Sequence, residues 1–198
     1  MLSTTSVDAT EARARASVYM FLASLFHSLP TEDSVRAVRE MAGGLEIEAP
    51  GPFVLKELER DYMDLFVVPN PRYVAPYESV FRDSWSNPVE GGPPLRGLLM
   101  GDSSKAVQRC YDEAGVASED ELPDHVSTEL QFMAWLWALQ AEPESGDAAA
   151  IAELRSRFRA DHVARWIADL RGRVAERDRL GFYAAALRVT EAVIESDA

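Results

Sequence analysis

The stretch ELPDHVSTE, from Glu121 to Glu129, sets a proline, an aspartate, a histidine and two glutamates close together. His125 and Glu129 are four apart, which places both on one face of a helix. An imidazole and a carboxylate at that spacing are able to share a metal ion. Asp124 beside His125, with Ser79 or Ser127 as the hydroxyl, suits acid–base or nucleophilic chemistry instead. A small metal-dependent hydrolase centred on His125, Glu129 and Asp124 is therefore one reading. Little else in the chain supports it. There is no HExxH, no CxxC, no GxSxG around either serine and no glycine-rich phosphate loop. A helix start with an incidental His–Glu pair accounts for the same residues.

Recognition is the third reading. Between Tyr111 and Glu129 lie Asp112, Glu113, Glu119, Asp120, Glu121, Asp124 and Glu129, with no lysine or arginine. The face that begins with His125 and Glu129 continues as Phe132 and Leu136, so it starts polar and turns apolar. Val126, Leu130, Met133 and Trp137 form the stripe beside it that would enter the core. A groove with carboxylates and apolar walls suits a peptide carrying arginines next to an apolar run, because carboxylates accept paired hydrogen bonds from guanidinium. Of the other histidines, His27 ends the first predicted helix, where it meets the negative end of the dipole. His162 sits in an apolar stripe with Phe158 and Trp166 and reads as a packed, hydrogen-bonded side chain. Cys110 is the only cysteine, which rules out an intrachain disulfide and a cysteine-based zinc site.

The elements that must position these groups are helical. Apolar residues at spacings of three and four predict helices over about 8–28, 32–41, 53–66, 103–114, 123–139, 147–177 and 182–194, and nothing alternates convincingly enough to be a strand. A helix beginning near Pro123 would have its proline at a first position and Asp124 in its first turn. Six of the eleven prolines fall between Pro69 and Pro94, too dense for a helix. A loop of that length in a compact domain is usually functional or disordered. Embedded in it, APYESVFRDSW carries Tyr77, Phe81 and Trp85, which would be wasted in a solvated linker. The expectation is an all-α, single-domain bundle of about eight to ten helices over residues 1–198.

A formal charge of -13 argues against nucleic acid and against an anionic membrane surface, and would draw in a cationic partner. The N-terminal segment has helical spacing and no cleavage-site pattern, and no stretch reaches membrane-spanning length, so a cytoplasmic protein is expected.

Several segments resemble the TorD/DmsD family, the cytoplasmic chaperones of molybdenum-cofactor oxidoreductases. They are DYMDLFVVPNPRYVAPYESVF, LMGDSSKAVQRCYDEAGV, LPDHVSTELQFMAWL, FRADHVARWIADL and GFYAAALRVTEAVI. The P-D-H-x-x-x-E-L-x-F-M segment is the specific part. The likeness is strong from about Asp61 onward and looser over the first helix. It implies an all-helical protein that binds the twin-arginine signal peptide of an oxidoreductase subunit, is not an enzyme, and delays export until the cofactor is inserted. It also implies binding residues at Pro76, Tyr77, Glu78 and Ser79, and at Pro123, Asp124, His125 and Glu129, with Leu65 and Phe66 added before the loop. Phe132 would meet the apolar part of the peptide. No cofactor is assigned. The chain would act as a monomer or as a dimer exchanging segments through the proline-rich loop, which as a plain structural module would instead pack on a partner subunit. Tyr77 stands where many members carry tryptophan, and Leu122 where an acidic residue is common.

Overall fold

Helix α1 (Ala9–His27) starts where its first free N–H finds a partner. The Asp8 carboxylate accepts from Thr10 N at 3.2 Å, and Glu11 adds negative charge to the first turn. The computed structural model describes residues 8–116, 122–142 and 148–197. The acidic residues Glu119, Asp120 and Glu121 lie outside them, as do Pro143 and Gly146, at which a break between helices is expected.

Helix α2 (Glu32–Gly44) is closed by a Thr31–Ser34 capping box. Helix α3 (Leu55–Tyr62) runs on into a π turn, Met63–Val67. The other helices are α4 (Glu78–Arg82), α5 (Asp102–Glu113), α6 (Val126–Gln140), α7 (Ala148–Phe158), α8 (Ala164–Ala175) and α9 (Phe182–Ser196). A second π turn, Arg159–Val163, joins α7 to α8. The stripe Leu154, Phe158, His162, Trp166 and Leu170 is buried throughout. Its strict spacing of four would drift around an α-helix of about 3.6 residues per turn. The wider π turn in its middle offsets that drift.

The architecture is all-α, with α6 at the centre. It packs most extensively on α1 and also on α7, while α9 lies against α8 and α2. Both of its stripes are buried, Val126, Leu130, Met133 and Trp137 together with Glu129, Phe132 and Leu136. The face expected to line a groove is therefore core. Neighbours from both ends of the chain surround α6, and hydrophobic burial takes whatever apolar face they cover.

Two local expectations are corrected. The proline-rich loop holds the short helix α4 and a two-stranded antiparallel hairpin, β1 (Ser84–Trp85) with β2 (Leu95–Arg96). Between Pro76 and Pro88 no proline interrupts the chain, and Glu78 and Arg82 form an i,i+4 ion pair across the helical turn. Helix α6 begins at Val126, with His125 as its N-cap and not with Pro123 inside its first turn. The reason is tertiary. Pro76 O accepts from Val126 N at 2.9 Å and Asp124 O from Glu78 N at 2.9 Å, so Pro123 and Asp124 stay extended to pair with the loop.

Candidate functional site

The loop from Val68 to Tyr77 is fastened at several points. Asn70 donates to Asp64 O (2.7 Å) and Val68 O (2.6 Å) and accepts from Arg72 N, while Val74 N donates to Leu65 O at 2.7 Å. Arg72 pairs with Asp61 and Asp64 and donates to Arg177 O. Tyr77 then bridges to His125 in antiparallel register, its ring edge-on to the imidazole with centroids 4.9 Å apart. Tyr77 and His125 thus meet although 48 residues separate them.

Beneath this surface pair lies a buried polar cluster. Glu78, Asp124 and Glu129 are each 0% exposed. Asp124 accepts from Ser79 N at 2.8 Å. Glu78 pairs with Arg82 and, at 2.9 Å, with His162 Nδ1. The other ring nitrogen of His162 is 3.8 Å from Cys110 Sγ. Glu129 accepts from Trp166 Nε1 at 3.0 Å, and Tyr111 donates to Pro123 O at 3.0 Å. Burial, and then the charge of Glu78, push the Glu129 carboxyl well above its ordinary range, so it is the protonated member. Burial opposes charge on His162, but its hydrogen bonds to Cys110 and Glu78 outweigh this and raise it to about 9. A buried imidazolium between a carboxylate and a thiol therefore belongs to the frame, in keeping with the packed, hydrogen-bonded histidine expected at this position.

The expected binding residues fall into two sets. Leu65, Pro76, Glu78, Ser79, Pro123, Asp124, Glu129 and Phe132 are buried; they hold the loop against α6 and do not offer side chains to a ligand. The sequence pattern cannot reveal this, because pairing with distant elements is what turns these side chains inward. Tyr77, His125 and the edge of Phe66 do face a cleft of about 350 Å³, shared with Phe26, His27, Tyr62, Leu122, Ser127 and Thr128. The first π turn carries Phe66 to this wall, where it packs edge-on to Phe26 at 5.9 Å and to Tyr183 at 5.1 Å. Phe26, Tyr62 and Thr128 are cleft residues that sequence reasoning did not assign. Phe26 and Tyr62 have one visible signal, an aromatic ring at the last turn of a helix that leads into a loop.

The catalytic readings lose their geometry. His125 Nδ1 accepts from Ser127 N at 3.2 Å and lies 2.7 Å from Ser127 Oγ, so the Ser–His pair is a helix cap. The Asp124 carboxylate is turned to the backbone of Ser79, and Glu129 points away from His125 to Trp166. Among the described residues, no three His, Cys, Asp or Glu side chains are grouped as metal ligands.

Residues 30–171 match the model of the nitrate reductase delta subunit family. The chain belongs to that family. Relatives extend the match. A chaperone protein TorD from Vibrio cholerae is 27% identical, covering 92% of this chain and 90% of its own length. TorD from Shewanella pealeana is 25% identical, covering 94% and 89%. A chlorate reductase assembly chaperone protein from Ideonella dechloratans is 31% identical, covering 82% and 77%. The TorD resemblance read from the sequence is thereby shown over most of the chain. These delta-subunit relatives are named as chaperones and assembly proteins, not enzymes, and the protein stands with them as non-catalytic. No helix among the described residues is long and apolar enough to cross a membrane.

Proposed function

We propose that the protein is a cytoplasmic assembly chaperone whose aromatic cleft takes the twin-arginine signal peptide of a molybdenum-cofactor oxidoreductase subunit, holding the subunit from export until its cofactor is inserted. The observation that carries this reading is the cleft itself. Its rings, Phe26, Tyr62, Phe66 and Tyr77, come from α1, α3 and the loop, while His125, Ser127 and Thr128 close it from the start of α6. Such a surface suits an apolar segment interspersed with hydroxyl and amide groups. The carboxylates Glu78, Asp124 and Glu129 lie under it and are engaged internally. The arginine pair would then be attracted by the exposed acidic surface of a chain at -13, with the apolar part of the peptide seated between the rings.

Calorimetric titration with a twin-arginine signal peptide tests the reading. Saturable binding is expected, weakened by salt and by changing the two arginines to alanine, and weakened separately by Tyr77→Ala with the fold intact. Absence of binding to signal peptides of oxidoreductase subunits from the same genome overturns it.

A further inference from the structure

Away from the cleft, three arginines gather around one indole. Arg155 Cζ lies 3.4 Å from the centroid of the Trp137 ring, and Arg15 Cζ lies 5.1 Å from it. The charges of Arg155, Arg159 and Arg15 all bear on the hydroxyl of Tyr19, which places the three groups around one point where α1, α6 and α7 meet.

A carboxylate already occupies part of this junction. Asp197 accepts hydrogen bonds from Tyr19 Oη at 2.7 Å and Trp137 Nε1 at 2.9 Å, and pairs with Arg15. Glu11 also pairs with Arg15, at 3.1 Å. The other side is less well matched. Arg155 Nε and Nη1 and Arg159 Nε are buried and meet no acceptor among the described residues, and Arg159 Nη1 reaches only Ile194 O at 3.5 Å. A guanidinium keeps its proton under ordinary conditions, so buried N–H groups of this kind carry a desolvation cost that an acceptor removes. Burial lowers the pKa of Arg155 to about 10, and the neighbouring Arg15 and Arg159 lower it further while Tyr19 and Glu11 oppose them. The excess of positive charge is local, in a chain whose overall charge is strongly negative. Screening over about 8 Å at physiological salt separates the junction from much of that acid.

We infer that this junction is a binding site for a small oxyanion of the phosphate or sulfate type, held by the unpartnered N–H groups of Arg155 and Arg159 beside the seat of Asp197. The planar guanidinium presents paired donors to such an anion. Trp137 keeps Arg155 in place by stacking. Neither the aromatic cleft nor any property of the signal peptide enters the inference.

The test is titration of the full chain with inorganic phosphate at constant ionic strength, with chloride making up the balance, followed by thermal shift and calorimetry. Saturable binding with a rise in Tm is expected. Arg155→Gln and Arg159→Gln are each expected to weaken it by about tenfold or more, from loss of a charge-assisted hydrogen bond. Arg36→Gln, at an exposed pair with Asp33, serves as the control and is expected to leave it unchanged. No saturable response of the unsubstituted protein overturns the inference whatever the variants do. Equal affinity in Arg155→Gln and Arg159→Gln, each shown folded by circular dichroism, also overturns it.

Discussion

Raising the pH should loosen the frame beneath the cleft through His162. Its imidazole is buried between Glu78, 2.9 Å away, and Cys110, 3.8 Å away, and its pKa is raised from 6.5 to about 9. The folded state thus binds this proton more tightly than the unfolded chain. The resulting stabilisation is fully present below about pH 6.5 and is lost as pH climbs through about 9. A shift of this size, at about 1.4 kcal/mol per unit, corresponds to about 3 kcal/mol. That is a large fraction of the net stability of about 5–15 kcal/mol common to domains. Urea unfolding followed by circular dichroism, at half-unit steps between pH 6 and 9.5, measures it. The comparison is with His162→Gln, which can still donate to Glu78 but does not titrate. Unsubstituted protein is expected to lose about 3 kcal/mol across the window relative to the variant. Parallel pH profiles for the two proteins would refute the reasoning, because they would show that His162 carries the same affinity for protons folded and unfolded.

Glu129→Gln replaces a protonated buried carboxyl with a neutral isostere, so urea unfolding at pH 7 is expected to change by less than about 1 kcal/mol, whereas Glu129→Ala should cost about 3 kcal/mol by stranding Trp166 Nε1 and opening a cavity. Tyr77→Ala is expected to lower signal-peptide affinity about tenfold in calorimetry while shifting Tm only slightly, since the ring lies at the surface against His125. Asp178→Ala removes the acceptor for the N–H groups of Leu180, Gly181 and Ala184 at the start of α9, and chemical denaturation should report a loss of about 2 kcal/mol.

The frame explains why a site residue and a structural residue look alike in this sequence. Asp124 and His125 are adjacent, yet Asp124 is wholly buried and His125 lines the cleft. The extended backbone of 124–126, paired with 76–78, sends successive side chains to opposite sides. Glu78 and Tyr77 divide the same way on the facing strand of chain. An alternation confined to a few residues, flanked by prolines, leaves no periodic signal long enough to detect. It also depends on a partner 48 residues away. The helices were far more legible, because their signals are local. Asp8 and Thr31 cap, Pro30 stops, and Gly181 supplies the left-handed turn before α9 at φ 70°.

By itself the sequence determined an acidic, all-helical chain, most of its helix boundaries and the resemblance carried by its P-D-H segment. These follow from backbone hydrogen bonding, capping and apolar spacing within a few residues of each position. Only the tertiary structure decided that α6 is buried on both of its stripes, that Glu78, Asp124 and Glu129 form a neutralised frame and not a charged groove, and that Phe26, Tyr62, Phe66 and Tyr77 share one cleft. Burial and the protonation of a carboxyl are set by which distant groups surround it, and no pattern along the chain encodes that surrounding directly.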